Sequence, residues 1–254
     1  MEIPANELQD FLNQKYNQYN QPLFIESDPI QIPHRYTNQG DIEIAAFLTS
    51  AIAWGNRKMI IRNAERIINL IDNSPLDFIT NAKESDFRRV VNFKHRTFNG
   101  EDLGFFLKSI QNIYLNHGGL YSVFNTDFID IKTSLIRFRE VFFSIDSPIH
   151  TAKHISNVFK NSAAKRLNMF LMWMVRSDGR GVHFGLWDKI STSALKLPLD
   201  VHTGNVGRKL GLLTRNQNDW QAVEEITANL SKFDDKDPVK YDFALFGLGV
   251  FEKF

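Results

Sequence analysis

The sequence predicts an all-helical protein, and three observations carry the prediction. Apolar residues recur at intervals of three and four, whereas the alternation typical of strands is rare. The 254 residues include only 14 glycines and 8 prolines, but 22 phenylalanines, whose large rings suit the packing of helix on helix. Because 43% of the residues are hydrophobic, the core can be substantial. We expect one large domain or two closely associated lobes.

Composition excludes several classes of protein. Without cysteine the chain can form no disulfide, no thiol nucleophile and no cysteine-ligated zinc or iron–sulfur cluster. No apolar run approaches the roughly 18 residues of a membrane span, and Met1 to Asp10 does not have the basic and then apolar order of a signal peptide. We therefore expect a cytoplasmic monomer that needs no metal or other cofactor and does not contact a membrane.

The first part of the chain predicts three helices. One helix covers about Glu7 to Asn17, and the proline-rich stretch from Asn20 to Gly40 is irregular. Asp41 to Ile71 holds two long apolar helical runs, and Trp54 to Lys58 interrupts them around a central glycine. We expect a corner there between two buried helices. Its side chains either cap the turn or contact a ligand.

The middle of the chain continues the helical pattern. Pro75 to Ile79 predicts a short helical turn, Phe87 to Gly100 a polar loop, and Glu101 to Asn116 and Ile131 to Phe143 two amphipathic scaffold helices. His95 and Arg96 in the loop could contact phosphate or serve only as polar surface residues.

A core helix is predicted from Asn161 to Val175, with Ser162 as its N-terminal cap. Lys165 then falls in the first turn, where the helix dipole disfavours a cation and so favours the neutral, nucleophilic amine. The alternative is a surface lysine whose aliphatic stem lies along the helix.

The most informative stretch runs from Leu197 to Gly211. Pro198 cannot continue a preceding helix, and Asp200 can cap the next one, which we expect from about Val201 to Leu210. Gly211 then ends it. A carboxylate fixed at such a helix start is either a plain cap or a catalytic group, and the spacing alone leaves both open.

Basic residues concentrate around this stretch although the net charge of the chain is only +1. Between Thr151 and Arg215 lie eleven lysines and arginines against three aspartates. The excess is either a solvated surface or a phosphate-binding surface.

The residues "PLDVHTGNVGRKLGLL" resemble the aspartate-bearing turn of the helix-hairpin-helix DNA glycosylase superfamily, which includes endonuclease III and the 8-oxoguanine glycosylases. "WQAVEEITANL" and "YDFALFGLGV" are similar to the two helices that close that domain, and the resemblance extends over about residues 40 to 250. "KRLNMFLMWMV", "FGLWDKI" and "PLDVHT" indicate an uncharacterised bacterial family within the superfamily.

The resemblance implies two helical lobes with a DNA-binding groove between them, one of about residues 41–143 and the other of about 1–40 and 150–254. It implies that Asp200 stabilises positive charge on the deoxyribose while a flipped, damaged base leaves, and that Lys165 attacks the sugar. "FLTSAIAWGNRK" looks like the stretch that reaches duplex DNA. The residues expected to contact DNA are Asn56, Arg57, Arg166, His202, Arg208 and Lys209.

Two departures from the superfamily stand out. "VFKNSAAKRL" replaces the glycine-containing hairpin before the lysine helix, and the interval from Lys165 to Asp200 is longer than in endonuclease III. The extra residues form a glycine-rich loop whose aromatic side chains either stack on a flipped base or anchor the loop in the core. The residues expected to form the base pocket are Trp54, His183, Phe184 and Trp187.

Two other functions remain open at this point. A nucleic-acid-binding protein could keep the fold without catalysis, and a small-molecule enzyme could use the same pocket. In a glycosylase Asp200 must be free at a groove with Lys165 or a water within reach, whereas in a binding module a cap or salt bridge consumes the carboxylate.

Overall fold

The computed structural model describes residues 4–125 and 130–254, and it is mostly helical, as predicted. In chain order the α-helices of this part are α1 (Ala5–Tyr19), α2 (Leu23–Ser27), α3 (Gln39–Ala51), α4 (Arg57–Leu70), α5 (Pro75–Asn81), α6 (Gly100–Asn116), α7 (Leu120–Phe124), α8 (Ile131–Phe142), α9 (Lys165–Val175), α10 (Val201–Lys209), α11 (Trp220–Ser231) and α12 (Asp242–Val250). A hairpin of two short antiparallel strands, β1 (Lys94–His95) and β2 (Phe98–Asn99), precedes α6.

The chain divides into two compact units. Met1–Glu26 and Asn157–Phe254 form the terminal unit, and Ser27–Ser156 form the central unit. The central unit is longer at both ends than the predicted lobe of residues 41–143. Buried Ile30 and Ile32 explain the first difference, because the short 3-10 turns that carry them pack on α3 and α4.

The central unit has an aromatic core, which explains the abundance of phenylalanine. The ring of Phe47 on α3 lies 5.4 Å from that of Phe138 on α8, and Phe106 on α6 meets Phe142 on α8 edge-on at 4.9 Å. Each of these four side chains is fully buried. Offset and edge-on ring pairs stabilise such a core beyond the area they bury.

The predicted corner between α3 and α4 is confirmed. Gly55 adopts φ +99°, which a residue with a side chain rarely does, and Asn56 caps α4 by accepting a hydrogen bond of 3.2 Å from the amide of Met59. Residues 87–100, predicted as a polar loop, instead contain a 3-10 turn, Asp86–Val90, and the β1–β2 hairpin.

In the terminal unit α12 packs against both α1 and α10. The helices α1 and α12 approach so closely that a Cβ atom at Gly247 would lie 2.1 Å from the ring of Tyr19. Glycine at this position therefore permits the packing.

The C-terminus of α10 has the structure that Gly211 predicts. Gly211 adopts φ +72°, its amide donates to the carbonyl of Arg208, and the amide of Leu212 donates to that of Gly207. These two bonds form a Schellman motif, which satisfies carbonyl groups that a helix end leaves free.

None of the helices in the described residues is long and apolar enough to cross a membrane.

Candidate active site

Asp200 forms the N-terminal cap of α10. Its Oδ1 accepts hydrogen bonds of 2.8 and 3.0 Å from the amides of His202 and Thr203, and the Thr203 hydroxyl accepts one of 2.8 Å from the amide of Asp200. This reciprocal pair is a capping box with threonine at the third helical position. The cap therefore uses one oxygen of the carboxylate.

The other oxygen faces a lysine. Nζ of Lys165, the first residue of α9, lies 3.5 Å from Oδ2 of Asp200. Both side chains keep contact with solvent, at 30% exposure for Lys165 and 24% for Asp200. Folding thus brings together the two residues that the sequence singled out, although 35 positions separate them along the chain.

The chain enters α9 through two left-handed residues. Asn161 has φ +63° and Ala164 has φ +48°, and residues with a side chain adopt this region at a cost of about 1 kcal/mol. The predicted cap at Ser162 is wrong, because the left-handed Ala164 delays the helix start to Lys165. In "VFKNSAAKRL", asparagine and alanine thus adopt a backbone conformation that glycine reaches without steric cost. A 3-10 turn, Val158–Lys160, comes directly before it.

The segment from Arg215 to Asp219 ties both catalytic candidates to α11. The Asn161 side-chain amide donates a hydrogen bond of 2.9 Å to Oδ2 of Asp219, which positions the approach to Lys165. The Asn218 side-chain amide donates one of 3.0 Å to the carbonyl of Asp200. Sequence reasoning missed both contacts. "NQND" before a helix signals a cap, but nothing in it identifies these distant partners.

Asp219 is itself held in the charged form. A hydrogen bond of 2.7 Å from Nε of Arg215 is the main cause that lowers the pKa of Asp219 to about 2. Asp219 also caps α11 by accepting from the amide of Ala222. The segment is therefore fixed to the start of α11 by contacts that do not involve the candidate site.

Arg208 has a different role from the predicted phosphate contact. Its guanidinium donates to the carbonyls of Arg215 and Asn216 at 2.8 and 2.9 Å, and to Oδ1 of Asn218 at 2.6 Å. Gly204 makes room for this arrangement, since a Cβ atom there would lie 2.7 Å from Oδ1 of Asn218. Arg208 therefore supports the Asp200 turn through Asn218.

The other predicted DNA contacts lie in both units. In the terminal unit, His202 and Lys209 are exposed on α10, whereas burial lowers the pKa of the half-buried Arg166 to about 10. In the central unit, Asn56 caps α4, and Arg57 lies 3.9 Å from Asp28.

The structure corrects two of the four predicted base-pocket residues. Trp187 is fully buried and meets Phe170 edge-on at 5.3 Å, so it anchors the loop in the core. His183 is also buried, and its Nδ1 lies 3.2 Å from Nη1 of Arg176. The apolar indole of Trp187 packs in the core, whereas the imidazole of His183 is buried with a polar partner, so neither ring is exposed to a flipped base.

The remaining two predicted pocket residues belong to different units. Phe184, in the terminal unit, is half-buried, and its amide donates to the carbonyl of Trp173. Trp54, in the central unit, is half-buried between the rings of His95 and His154, at 4.8 and 5.9 Å.

Part of the basic excess lies inside the protein. Arg176 is 1% exposed, and its guanidinium contacts Asp237 at 2.8 Å, Asp178 at 2.9 Å and the Tyr16 hydroxyl at 2.9 Å. Burial alone would raise the pKa of Asp178, but the charge of Arg176 and the amide of Arg180 lower it to about 2. Arg176 is therefore a buried structural cation, as its position at the C-terminal end of α9 allows.

The site offers a carboxylate and an amine, a pair that can transfer a proton and form a covalent adduct. Within the described residues, no group of three histidines or carboxylates lies close enough together to hold a metal ion.

Comparison with known proteins gives a match to a protein family. Residues 28–251 match the model of a family described as protein of unknown function (DUF2400). No curated protein and no solved structure matches the chain.

Proposed function

We propose that this chain, which belongs to the DUF2400 family, is a DNA base-excision glycosylase. Such an enzyme flips a damaged base out of the duplex and cleaves its N-glycosidic bond. The observation that carries the proposal is the 3.5 Å contact between Lys165 and the oxygen of Asp200 that the helix cap does not use. A purely structural cap would not require a lysine at that oxygen.

The two side chains divide the reaction between them. Before the glycosidic bond breaks, Asp200 accepts a proton from the Lys165 ammonium through Oδ2 and passes it to solvent, which restores the carboxylate charge. The neutral amine then attacks C1′ of the deoxyribose while the bond from C1′ to the base breaks. The base leaves with the electron pair of that bond and takes up a proton from solvent. The charged carboxylate stabilises the positive charge that develops on the sugar.

The adduct then determines whether strand cleavage follows. Opening of the sugar ring converts the adduct at C1′ into a Schiff base, from which the 3′ phosphate can be eliminated. In this form the enzyme is both a glycosylase and a lyase. If water attacks in place of Lys165, Asp200 acts alone and the strand stays intact.

The choice of DNA rests on the sequence. "PLDVHT" resembles the aspartate turn of the helix-hairpin-helix glycosylases. On α10, the exposed His202 follows that turn directly, and the exposed Lys209 adds a basic group at the other end of the helix. We propose a cytoplasmic monomer that acts on damaged duplex DNA without a cofactor.

A covalent trap tests the proposal. The protein is incubated with lesion-bearing duplexes and borohydride, which reduces a Schiff base to a stable amine, and the adduct is located by mass spectrometry. We expect an adduct on Lys165 that Lys165→Gln abolishes. The matched control is Lys160→Gln, which changes an exposed lysine five residues upstream and should trap normally. Absence of both adduct and base release across the panel would overturn the proposal.

A catalytically inert nucleic-acid-binding protein is the second candidate. One observation favours it: both oxygens of Asp200 already have partners, Oδ1 in the cap and Oδ2 at Lys165. If this second function is the correct one, we expect duplex binding that is insensitive to Asp200→Asn and is not accompanied by base release.

A further inference from the structure

The central unit carries a strip of exposed basic side chains, of which the sequence singled out only Arg96 and the stretch that contains Lys58. Lys58, Arg62 and Arg66 recur every four residues on the exposed side of α4. Successive members are therefore about 6 Å apart along the helix axis and form a continuous stripe. Lys94 and Arg96 on the β1–β2 hairpin are also exposed. We call these five residues the basic strip.

The hairpin lies alongside α4, so the two rows are neighbours. At one end, Arg96 reaches the turn before α4, where a Cβ atom at Gly55 would meet its Nη1 at 2.7 Å. In the middle, the side chains of Asn63 and His95 are 2.9 Å apart. At the far end, Nη2 of Arg66 donates a hydrogen bond of 3.2 Å to the carbonyl of Asn92.

The charges of the strip are not neutralised by the protein. Within the described parts of the chain, none of the five forms an ion pair. The nearest acidic residue on α4, Glu65, is engaged at 3.0 Å by Arg35. Asp72, just beyond α4, is held by Arg89 at 2.5 Å.

Like charges gathered side by side repel one another, and the repulsion is relieved when an anion binds across them. A row of three cations with a repeat of about 6 Å on α4, with two more on the adjacent hairpin, suits an extended polyanion better than a single small anion. A nucleic-acid strand carries one phosphate per roughly 3.4 Å of axis, so each cation of the α4 row would serve about two nucleotides.

We propose that the basic strip binds the sugar–phosphate backbone of a nucleic acid. The choice of nucleic acid as the polyanion rests on the proposed function. The strip extends the contacts expected at Asn56 and Arg57 along α4 and onto the β1–β2 hairpin, away in sequence from the basic segment around Asp200. Contacts of this kind position a duplex without reading its bases.

Salt-dependent binding to a lesion-free duplex tests the inference. The variant replaces Lys58, Arg62 and Lys94 by glutamine, three side chains for which the structure gives no hydrogen bond or ion pair, so the fold should persist. Each lost phosphate contact removes roughly 0.9 from the slope of log K against log salt. We expect the slope to fall by about 2 to 3, and affinity at 0.1 M salt to drop roughly a hundredfold.

The matched control removes the same charge elsewhere on the central unit. Lys83, Arg88 and Arg137 are exposed, and their joint replacement by glutamine should leave the slope nearly unchanged. Equal losses in the two triple variants would show a diffuse charge effect and overturn the inference. Binding of the unaltered protein to anionic lipid vesicles but not to the duplex would also overturn it.

The test is independent of catalysis. A duplex without a lesion requires neither Lys165 nor Asp200, so the slope is measured equally well in a Lys165→Gln background. If the proposed glycosylase activity fails but the slope depends on the basic strip, the inference stands alone.

Discussion

The side-chain amide of Asn218 donates a hydrogen bond of 3.0 Å to the backbone carbonyl of Asp200. Arg208 holds Asn218 in turn, through a bond of 2.6 Å to its Oδ1. The position of the candidate catalytic carboxylate is thus set by two residues that do not reach its side chain.

Loss of this support should weaken the site more than the fold. Asn218→Ala removes a partly buried hydrogen bond, which we expect to reduce the free energy of unfolding by about 1 kcal/mol. Base release should fall in kcat, with little change in KM, because the carboxylate is misplaced and binding is not. Urea unfolding and single-turnover kinetics measure the two effects.

Gln217→Ala, a change at the neighbouring exposed position, is the control. An unchanged kcat in a destabilised Asn218→Ala would assign Asn218 a purely structural role.

Replacement of Asp200 separates its two functions. Asn caps a helix about as well as Asp, so Asp200→Asn should change the free energy of unfolding by only a few tenths of a kcal/mol. Base release should fall roughly a hundredfold or more, because the charge at the reacting centre is lost. Asp200→Ala also loses the cap and should cost about 1 kcal/mol further. If Asp200→Asn unfolds easily but releases base normally, capping α10 is the only function of the carboxylate.

The buried Arg176 network predicts a loss of stability in acid. The pKa of Asp178 is about 2 in the folded protein, below its usual value of 3.8. The folded state therefore gains stability from this group above about pH 4, and the gain disappears as the pH falls toward 2. Asp178→Asn should flatten the dependence of the unfolding free energy on pH over that interval. Unfolding followed by circular dichroism measures this dependence. The same curve of unfolding free energy against pH for the unaltered protein and Asp178→Asn would contradict the low pKa of Asp178.

Gly247 should be intolerant of a side chain. The Cβ of Gly247→Ala would lie 2.1 Å from the Tyr19 ring, and relief of the overlap by separation of α1 and α12 should cost about 1 to 3 kcal/mol. Gly104→Ala, in the interior of α6, is the control. Its Cβ would make an ordinary contact at 3.8 Å, and stability should rise by roughly 0.5 to 1 kcal/mol. Thermal unfolding compares the two, and a similar change in both would show that the close approach is not needed.

Local signals predicted most of the helices and the cap at Asp200. Periodicity identified the buried faces of α3, α4 and α6, and the glycine at position 211 marked the end of α10, because these features depend on residues a few positions apart. Ser162 misled the prediction of α9, because Ser162 pairs with Asp219 far along the chain and the left-handed Ala164 is the residue that precedes the helix. The β1–β2 hairpin has strands of only two residues, too short to show alternation.

The roles of the arginines were the least predictable part. Arg176 and Arg208 both counted toward a basic surface, yet one is buried among carboxylates and the other is bonded to the Arg215–Asp219 segment. Composition records the charge of a side chain but not the partner that folding assigns to it. For the same reason, nothing in the sequence indicated that Arg96 would lie beside the turn before α4, at one end of the basic strip.

The Arg215–Asp219 segment joins the approach to α9 with the turn before α10. A transient opening of these five residues would therefore free the chain before Lys165 and the Asp200 turn in one event. Neither α9 nor α10 would need to unfold. In a hydrogen–deuterium exchange experiment, the amides of Trp220 and Ala222, which donate to Asn161 and Asp219, should lose protection together as one cooperative unit.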